Sequence, residues 1–124
     1  EEILLQSPYL NQAVILGDQE KYLAALLVLN EHKVKEYLKN KKIEVDPSKK
    51  LSELAEVQSL IELEITRLSH NLGRYEQVKA FHILDNELTI EGGELTPTLK
   101  IKRNVIRAKY REFIKPLFNK PKDS

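Results

Sequence analysis

The sequence predicts an α+β domain: a small, mostly antiparallel sheet built from hairpins, flanked by about three helices. Three observations carry this. Two apolar runs, 12–16 and 22–29, flank the turn signal Gly17-Asp18-Gln19-Glu20. Val57, Leu60, Ile61, Ile65, Leu68 and Leu72 keep the three-and-four spacing of a buried helix face. Along the chain a hairpin, two helices, a strand, a second hairpin and a helix then follow in order, the pattern of a sheet with helices packed against it.

Residues 1–6 read as the end of a helix, closed at Ser7-Pro8 because Pro disfavours helix in the residue before it. The run 22–29 is apolar almost throughout, which suits a strand buried on both faces. Asn30 is placed to cap a helix over 31–39, whose apolar face is Val34, Tyr37 and Leu38. Residues 40–50 are polar and Lys-rich and read as an exposed loop, after which Ser52 caps a short turn. The helix over 57–72 ends at Gly73, a C-terminal cap. A strand is expected over 78–84, then a turn at Asp85-Asn86. Residues 88–90 and the segment after Gly92-Gly93 are expected to form a second hairpin. The last helix, 104–118, presents Val105, Ile106, Ala108, Tyr110, Phe113 and Ile114 and ends near Pro116. The folded unit is therefore 1–118, followed by a polar tail at 119–124.

The 124 residues fit one domain with one modest core. A formal net charge of +1 favours no class of partner, and a nucleic-acid binder would show a clearer positive excess. Aromatic and basic residues are not interleaved in the manner of base-stacking RNA binders. With no Cys there is no disulfide framework, thiolate nucleophile or Cys-based metal site. No apolar run approaches the ~20 residues of a membrane span, and no secretory signal is visible. The chain has no Met, opens on Glu1-Glu2 and begins in helix without a cap, so it reads as an excised piece of a longer protein.

Few residues could carry chemistry. His32, His70 and His82 are never three or four apart, so no helical metal pair exists. Gly92-Gly93 lacks the spacing of a phosphate-binding fingerprint. Ser7, Ser52, Ser59 and Ser69 do not sit in a nucleophile elbow. The exception is the segment Leu95-Thr96-Pro97-Thr98-Leu99-Lys100-Ile101-Lys102-Arg103, in which Lys100, Lys102 and Arg103 lie between a Gly-Gly turn and a helix. If the segment is extended, Leu99 and Ile101 pack inward while Lys100 and Lys102 point the other way. An ammonium on a semi-rigid loop suits a phosphate or carboxylate. The same spacing also suits a solvated basic loop, and both readings stay open on the residues alone.

That segment resembles the final signature of the AMP-forming acyl-CoA synthetases of the adenylate-forming superfamily, and is most similar to their long-chain fatty acid branch. Ser7-Pro8-Tyr9-Leu10-Asn11-Gln12-Ala13-Val14-Ile15-Leu16-Gly17-Asp18, followed by Lys21-Tyr22-Leu23-Ala24-Ala25-Leu26, resembles the opening of that family's C-terminal domain. Arg74-Tyr75-Glu76-Gln77-Val78-Lys79 resembles its middle. Three segments in the right order cover nearly the whole chain. The resemblance implies a mobile C-terminal lid of a long-chain fatty acid–CoA ligase, with the N-terminal adenylating domain and the hinge outside this chain. It implies ATP and CoA as co-substrates, with Mg²⁺ used by the full-length enzyme and none of these bound by this piece alone. Lys100 matches the lysine that binds the acid's carboxylate and the ATP phosphate oxygens as acyl-AMP forms. Lys102 is a weaker binding candidate, as are Arg74 and Lys79 for the phosphates of CoA. Leu99 departs from the Gly usual in the wider superfamily, and Pro97 lies closer to the lysine than is usual there. Both departures agree with the long-chain branch. The expected partners are the chain's own adenylating domain and the substrates, with no nucleic acid. The expected location is the cytoplasm, with peripheral membrane contact as the alternative. Three other readings remain: an acyl-AMP ligase, an acyl-carrier-protein synthetase domain, and a non-enzymatic interaction module that uses the basic 100–103 segment.

Overall fold

A computed structural model describes residues 3–17, 22–46, 48–70 and 77–118. Strands β1 (Leu10–Leu16), β2 (Leu23–Leu29) and β3 (Val78–Leu84) form one sheet in the order β1-β2-β3. The central strand, Leu-Ala-Ala-Leu-Leu-Val-Leu, is apolar throughout because both of its faces are covered. Ala25, Leu27 and Leu29 belong to one core, with Val34 and Leu38 of α1 (Glu31–Asn40) and Val57, Ile61 and Ile65 of α2 (Ala55–Ser69). Ala24, Leu26 and Val28 belong to a second core, with Ile106 of α3 (Arg103–Lys109) and Ile114 and Leu117 of α4 (Arg111–Phe118).

The α+β class therefore holds, with helices on both faces of the sheet. The sheet itself is mixed rather than mostly antiparallel. β1 pairs with β2 antiparallel, as the hairpin reading predicts, but β3 runs parallel to β2. The chain between β2 and β3 carries α1 and α2, and a helical crossover of this kind returns the next strand in the same direction.

Several elements follow from local chemistry. The Asn30 side chain accepts a hydrogen bond from the Lys33 N–H at 3.3 Å and caps α1. Residues Leu4–Gln6 form a single 3-10 turn that ends at Ser7. Ser52 does not act as a cap. It lies inside a second 3-10 turn, Leu51–Glu53, and its hydroxyl donates to Asp85 Oδ1 at 3.1 Å, while the Glu53 carboxylate accepts from the Lys50 N–H at 3.2 Å. The 18–20 part of the first turn, and Leu72 and Gly73 at the expected end of the long helix, lie outside the described residues.

The last helix is two helices. α3 stops at Tyr110, whose φ of −108° and ψ of 22° leave helical geometry, and α4 begins one residue later. Pro116 lies inside α4 and does not end it. The expected second hairpin is also absent among the described residues: 88–95 runs as an irregular, turn-rich segment whose one strand-like pairing is an antiparallel bridge between Leu95 and Ile101.

A bulge fixes how β1 meets both cores. The pairing steps from Leu10–Leu29 to Gln12–Val28, so Asn11 is the extra residue. Leu10 and Ala13 consequently face the α1–α2 core together, while Val14 and Leu16 face the α3–α4 core. Gln12 shares the latter side and reaches toward the candidate site.

The two faces of α2 give a direct test. Ile61 is fully buried, whereas Leu63 is 66% exposed. Ile61→Ala is expected to cost about 2–5 kcal/mol in denaturant unfolding. Leu63→Ala should stay within about 0.5 kcal/mol, as for other surface changes. Equal losses would place the buried face of α2 elsewhere.

Candidate functional site

The lysine segment is a tight loop standing on a braced base. The base begins with Gln12, whose side-chain amide clamps the Leu88 peptide. Its Oε1 accepts from the Leu88 N–H at 2.7 Å, and its Nε2 donates to the Leu88 carbonyl at 3.0 Å. The chain then turns through Gly92-Gly93, with the Gly93 N–H donating to the Ile90 carbonyl at 3.0 Å and the Gly92 N–H to Thr89 Oγ1 at 2.8 Å. Each glycine has its own reason. Gly93 has φ +84°, which L side chains seldom adopt. A Cβ on Gly92 would lie 2.5 Å from Glu94 Oε1, so the carboxylate itself demands glycine there.

Glu94 is the centre of this base. It is only 2% exposed. Its Oε1 accepts from the Thr89 N–H at 2.9 Å, and its Oε2 accepts from the Tyr110 hydroxyl at 2.5 Å and pairs with the Lys109 ammonium at 2.8 Å. Its backbone carbonyl accepts from the Lys102 N–H at 2.8 Å. One residue therefore ties the turn before it, the backbone two residues past Lys100, and the junction of α3 with α4.

Above the base the loop closes on itself. The Thr96 N–H donates to the Lys100 carbonyl at 2.8 Å, the Leu99 N–H to the Thr96 carbonyl at 2.8 Å, and the Lys100 N–H to Thr96 Oγ1 at 3.0 Å. The segment is thus turned rather than extended, and half of the expected packing is reversed. Ile101 packs against the α3–α4 core, but Leu99 is 66% exposed and holds the left-handed φ of +66°. This is the conformation that Gly takes without steric cost, which gives a physical reason for Gly at this position in the wider superfamily.

Lys100 is exposed on this loop, and among the described residues its ammonium meets no hydrogen-bond or ion-pair partner; the same is true of Lys102. Arg103 opens α3 and its Nε reaches the Ile15 carbonyl at 3.5 Å. Lys79 is exposed near the start of β3, on a different element from the loop, and donates to Gln77 Oε1 at 3.1 Å. Arg74 lies outside the described residues. A hollow of about 380 Å³ beside the loop is lined by Leu5, Gln12, Ile90, Leu95, Leu99 and Ile101. A cleft of about 1320 Å³ opens between α1 and the strand ends near Asp85 and is lined by none of Lys79, Lys100 or Lys102.

The histidines serve elsewhere. His32 pairs with Glu36 at 3.1 Å, and His82 stacks on Phe113 with ring centroids 4.4 Å apart. Burial lowers the His82 pKa, and Asp85 partly offsets that. Among the described residues no group of three His, Cys, Asp or Glu could hold a metal ion, and none of their helices is long and apolar enough to cross a membrane.

The sequence reading did not single out Glu94, Lys109, Tyr110 or Gln12. The sequence carries no spacing signal for this group, because Glu94, Lys109 and Tyr110 meet only through the fold.

Comparison with known proteins follows this geometry. No protein-family model matches the chain. It is 29% identical over 129 residues to the long-chain-fatty-acid–CoA ligase FadD15 of Mycobacterium tuberculosis, covering 97% of this chain and 20% of that protein. It is 29% identical over 119 residues to a chloroplastic long-chain-fatty-acid–acyl-carrier-protein ligase of Arabidopsis thaliana, covering 96% of this chain and 15% of that protein. The A-PCP didomain of a carboxylic acid reductase from Segniliparus rugosus, solved in complex with AMP, shares the fold at a TM-score of 0.72 and 24% identity, over 94% of this chain and 15% of the other. The chain therefore shares the fold of part of that didomain, and it is similar to part of each ligase along nearly all of its own length. The chain spans about a fifth or less of the length of the curated relatives it matches.

Two predictions test the site. Burial raises the Glu94 pKa, but the Lys109 ammonium, the Tyr110 hydroxyl and the Thr89 N–H outweigh it and hold the carboxyl below its usual range. A lowered carboxyl contributes stability above the ordinary value of 4.5 and loses it as pH falls through the folded value. Burial, and then the Glu94 carboxylate, push the Tyr110 phenol up to about 12. Its contribution is full below the ordinary 10 and is lost as pH rises toward about 12. Tyrosinate absorbance should therefore show a late step that Tyr110→Phe removes and Glu94→Gln moves to lower pH. A late step unmoved by Glu94→Gln would sink the assignment of this bond. The second concerns Leu99. Leu99→Gly removes a left-handed penalty of about 1–2 kcal/mol and adds about 0.5–1 kcal/mol of unfolded-state entropy, so it should be neutral or stabilising by up to about 1.5 kcal/mol. Leu99→Ile, β-branched at positive φ, should be the less stable variant on thermal melting.

Proposed function

We propose that this chain is the C-terminal lid of a long-chain fatty acid–CoA ligase, and that Lys100 is its adenylation lysine. The carrying observation is the exposed Lys100 ammonium, which meets no partner among the described residues, on a loop whose neighbouring backbone groups are fixed by Thr96 and Glu94. The sequence matches to fatty-acid ligases support the substrate class.

In the first half-reaction a carboxylate oxygen of the fatty acid attacks the α-phosphorus of ATP, and the bond to pyrophosphate breaks. Two anions must approach each other, and a cation between them relieves the repulsion and stabilises charge in the transition state. The ammonium suits this role, because its three donors rotate freely toward carboxylate and phosphate oxygens. In the second half-reaction the CoA sulfur attacks the acyl carbon and AMP leaves. A lysine on a separate domain can withdraw between the two steps, which is gating by domain rotation.

The adenylating domain, the acyl site and Mg²⁺ are assigned outside this chain. The metal would neutralise phosphate charge in the whole enzyme, and the described residues offer no group to hold it. Arg74 and Lys79 are weaker proposals for contact with the CoA phosphates, and Lys102 for contact with phosphate beside Lys100. Acyl transfer to a carrier protein in place of CoA uses the same first half-reaction. The name of the Arabidopsis relative favours keeping that reading. Peripheral contact with a membrane belongs to the same proposal.

Separate assays of the two half-reactions in the intact ligase test it. Lys100→Ala should slow acyl-AMP formation by about a hundredfold, the scale of one lost transition-state contact. The same variant, given ready-made acyl-AMP and CoA, should form thioester at a nearly normal rate. Lys102→Ala should affect adenylation much less. Equal loss in both half-reactions would move Lys100 to a structural role, and a larger effect from Lys102 would shift the assignment by two residues.

A further inference from the structure

We infer that Glu94 is a positioning residue for Lys100: a buried carboxylate that fixes the base of the lysine loop by gripping Tyr110 and Lys109 at the junction of α3 and α4. The inference rests on the proposed role of Lys100 and goes beyond it.

The argument begins with what the loop lacks. Residues 97–100 are all exposed, and Leu99 turns its side chain into solvent. Apolar burial therefore cannot hold the tip. What holds it lies at the base, where Leu95 and Ile101 pair and pack against the α3–α4 core. Two groups of Glu94 act there together. Its carbonyl takes the Lys102 N–H at 2.8 Å, just past the lysine, and its carboxylate takes the Thr89 N–H at 2.9 Å, just before the turn. Both strands of the loop base thus end on one residue.

That residue is in turn fixed by the helices. Tyr110 is where α3 ends and α4 begins, and its hydroxyl and the neighbouring Lys109 ammonium both reach Glu94 Oε2. The break between the helices and the orientation of the loop are therefore coupled through one carboxylate. A buried carboxylate deprived of its partners is costly, so the contacts are held together rather than exchanged with water. Gly92 shows how closely the surroundings fit the carboxylate, since a Cβ there would collide with Oε1.

Positioning is chemically consequential here. A cation that acts on a transition state must arrive at the right place, and a misplacement of about 1 Å can cost about 10²-fold in rate. Glu94 touches neither substrate nor reacting atom in this scheme; it acts through the backbone that carries Lys100.

The test uses the intact ligase with Glu94→Gln, Tyr110→Phe, Lys100→Ala and the double variant Glu94→Gln/Lys100→Ala. Gln keeps an acceptor for the Thr89 N–H but loses the charge that Lys109 pairs with. Adenylation is followed by pyrophosphate exchange, thioester formation from ready-made acyl-AMP, and loop order by amide hydrogen exchange. Glu94→Gln should slow adenylation at least about tenfold, within the scale of such misplacements. It should leave the thioester step within about twofold and speed exchange at the Leu95, Leu99, Lys100 and Lys102 amides. Tyr110→Phe, the milder change, should move each quantity the same way by less. In the Lys100→Ala background Glu94→Gln should slow adenylation no further, because a positioning residue has nothing left to position. An additive loss in the double variant, or equal slowing of both half-reactions, overturns the inference and leaves Glu94 as support for the fold. If Lys100→Ala itself leaves adenylation intact, the proposed function falls, and loop exchange alone decides. Faster exchange at 95–102 with β2 unchanged keeps Glu94 as the brace of the loop, and unchanged exchange removes it. Should Glu94→Gln fail to fold, Tyr110→Phe is read by the same criteria.

Discussion

A carboxylate that is 2% exposed sits beneath the loop that carries Lys100, and it joins several parts of the C-terminal third of the domain. Removing such a group from water is unfavourable unless its oxygens are fully engaged. Glu94 meets that condition with a backbone N–H, a phenol and an ammonium drawn from the two ends of the segment 89–110. The Tyr110 hydroxyl reaches Glu94 from the residue at which α3 stops and just before α4 begins. Gly92 must lack a side chain, because the carboxylate occupies the place of its Cβ. The irregular geometry here is a consequence of satisfying one buried charge.

The sheet supplies the rigid body on which this depends. β2 is buried on both faces, so each core is completed from its own side, by α1 and α2 on one and α3 and α4 on the other. The bulge at Asn11 lets a single edge strand feed both cores in the required register. It also directs Gln12 to the α3–α4 side, where its amide meets the Leu88 peptide as a neighbouring strand would. The loop segment is thus attached to the sheet without adding a strand, and residues 88–95 remain free to turn.

The parts legible in the sequence were those governed by local rules. The apolar run of β2, the Asn30 cap, the face of α2 and the extent of β3 all follow from period, propensity or capping within a few residues. The parts that were not legible depend on distant partners. The direction of β3 is set by the crossover through α1 and α2, and a strand's sequence does not record which way its neighbour runs. The last helix reads in the sequence as ending near Pro116, yet the break occurs at Tyr110, whose hydroxyl meets a carboxylate sixteen residues earlier in the chain. For the candidate site, the resemblance pointed to Lys100 and noted Leu99 where the wider superfamily usually has Gly, and Leu99 holds a left-handed φ that Gly adopts without steric cost. The brace beneath it had no spacing pattern to reveal it, because Glu94, Lys109 and Tyr110 are joined only by the fold.

An exposed lysine and a buried glutamate answer opposite demands within one loop. A cation offered to a separate partner has to remain in water until it is used, so the residues that carry it cannot be anchored by their own burial. Order must then be imposed from below, through backbone bonds that end on a group which cannot easily leave. A buried charge suits this better than an apolar side chain. An apolar anchor can slide within its pocket at little cost, whereas a carboxylate that shifts loses several directional bonds at once. The separation of tip from anchor leaves Lys100 exposed while the backbone around it is hydrogen-bonded, and it puts the anchoring contacts at residues 94, 109 and 110.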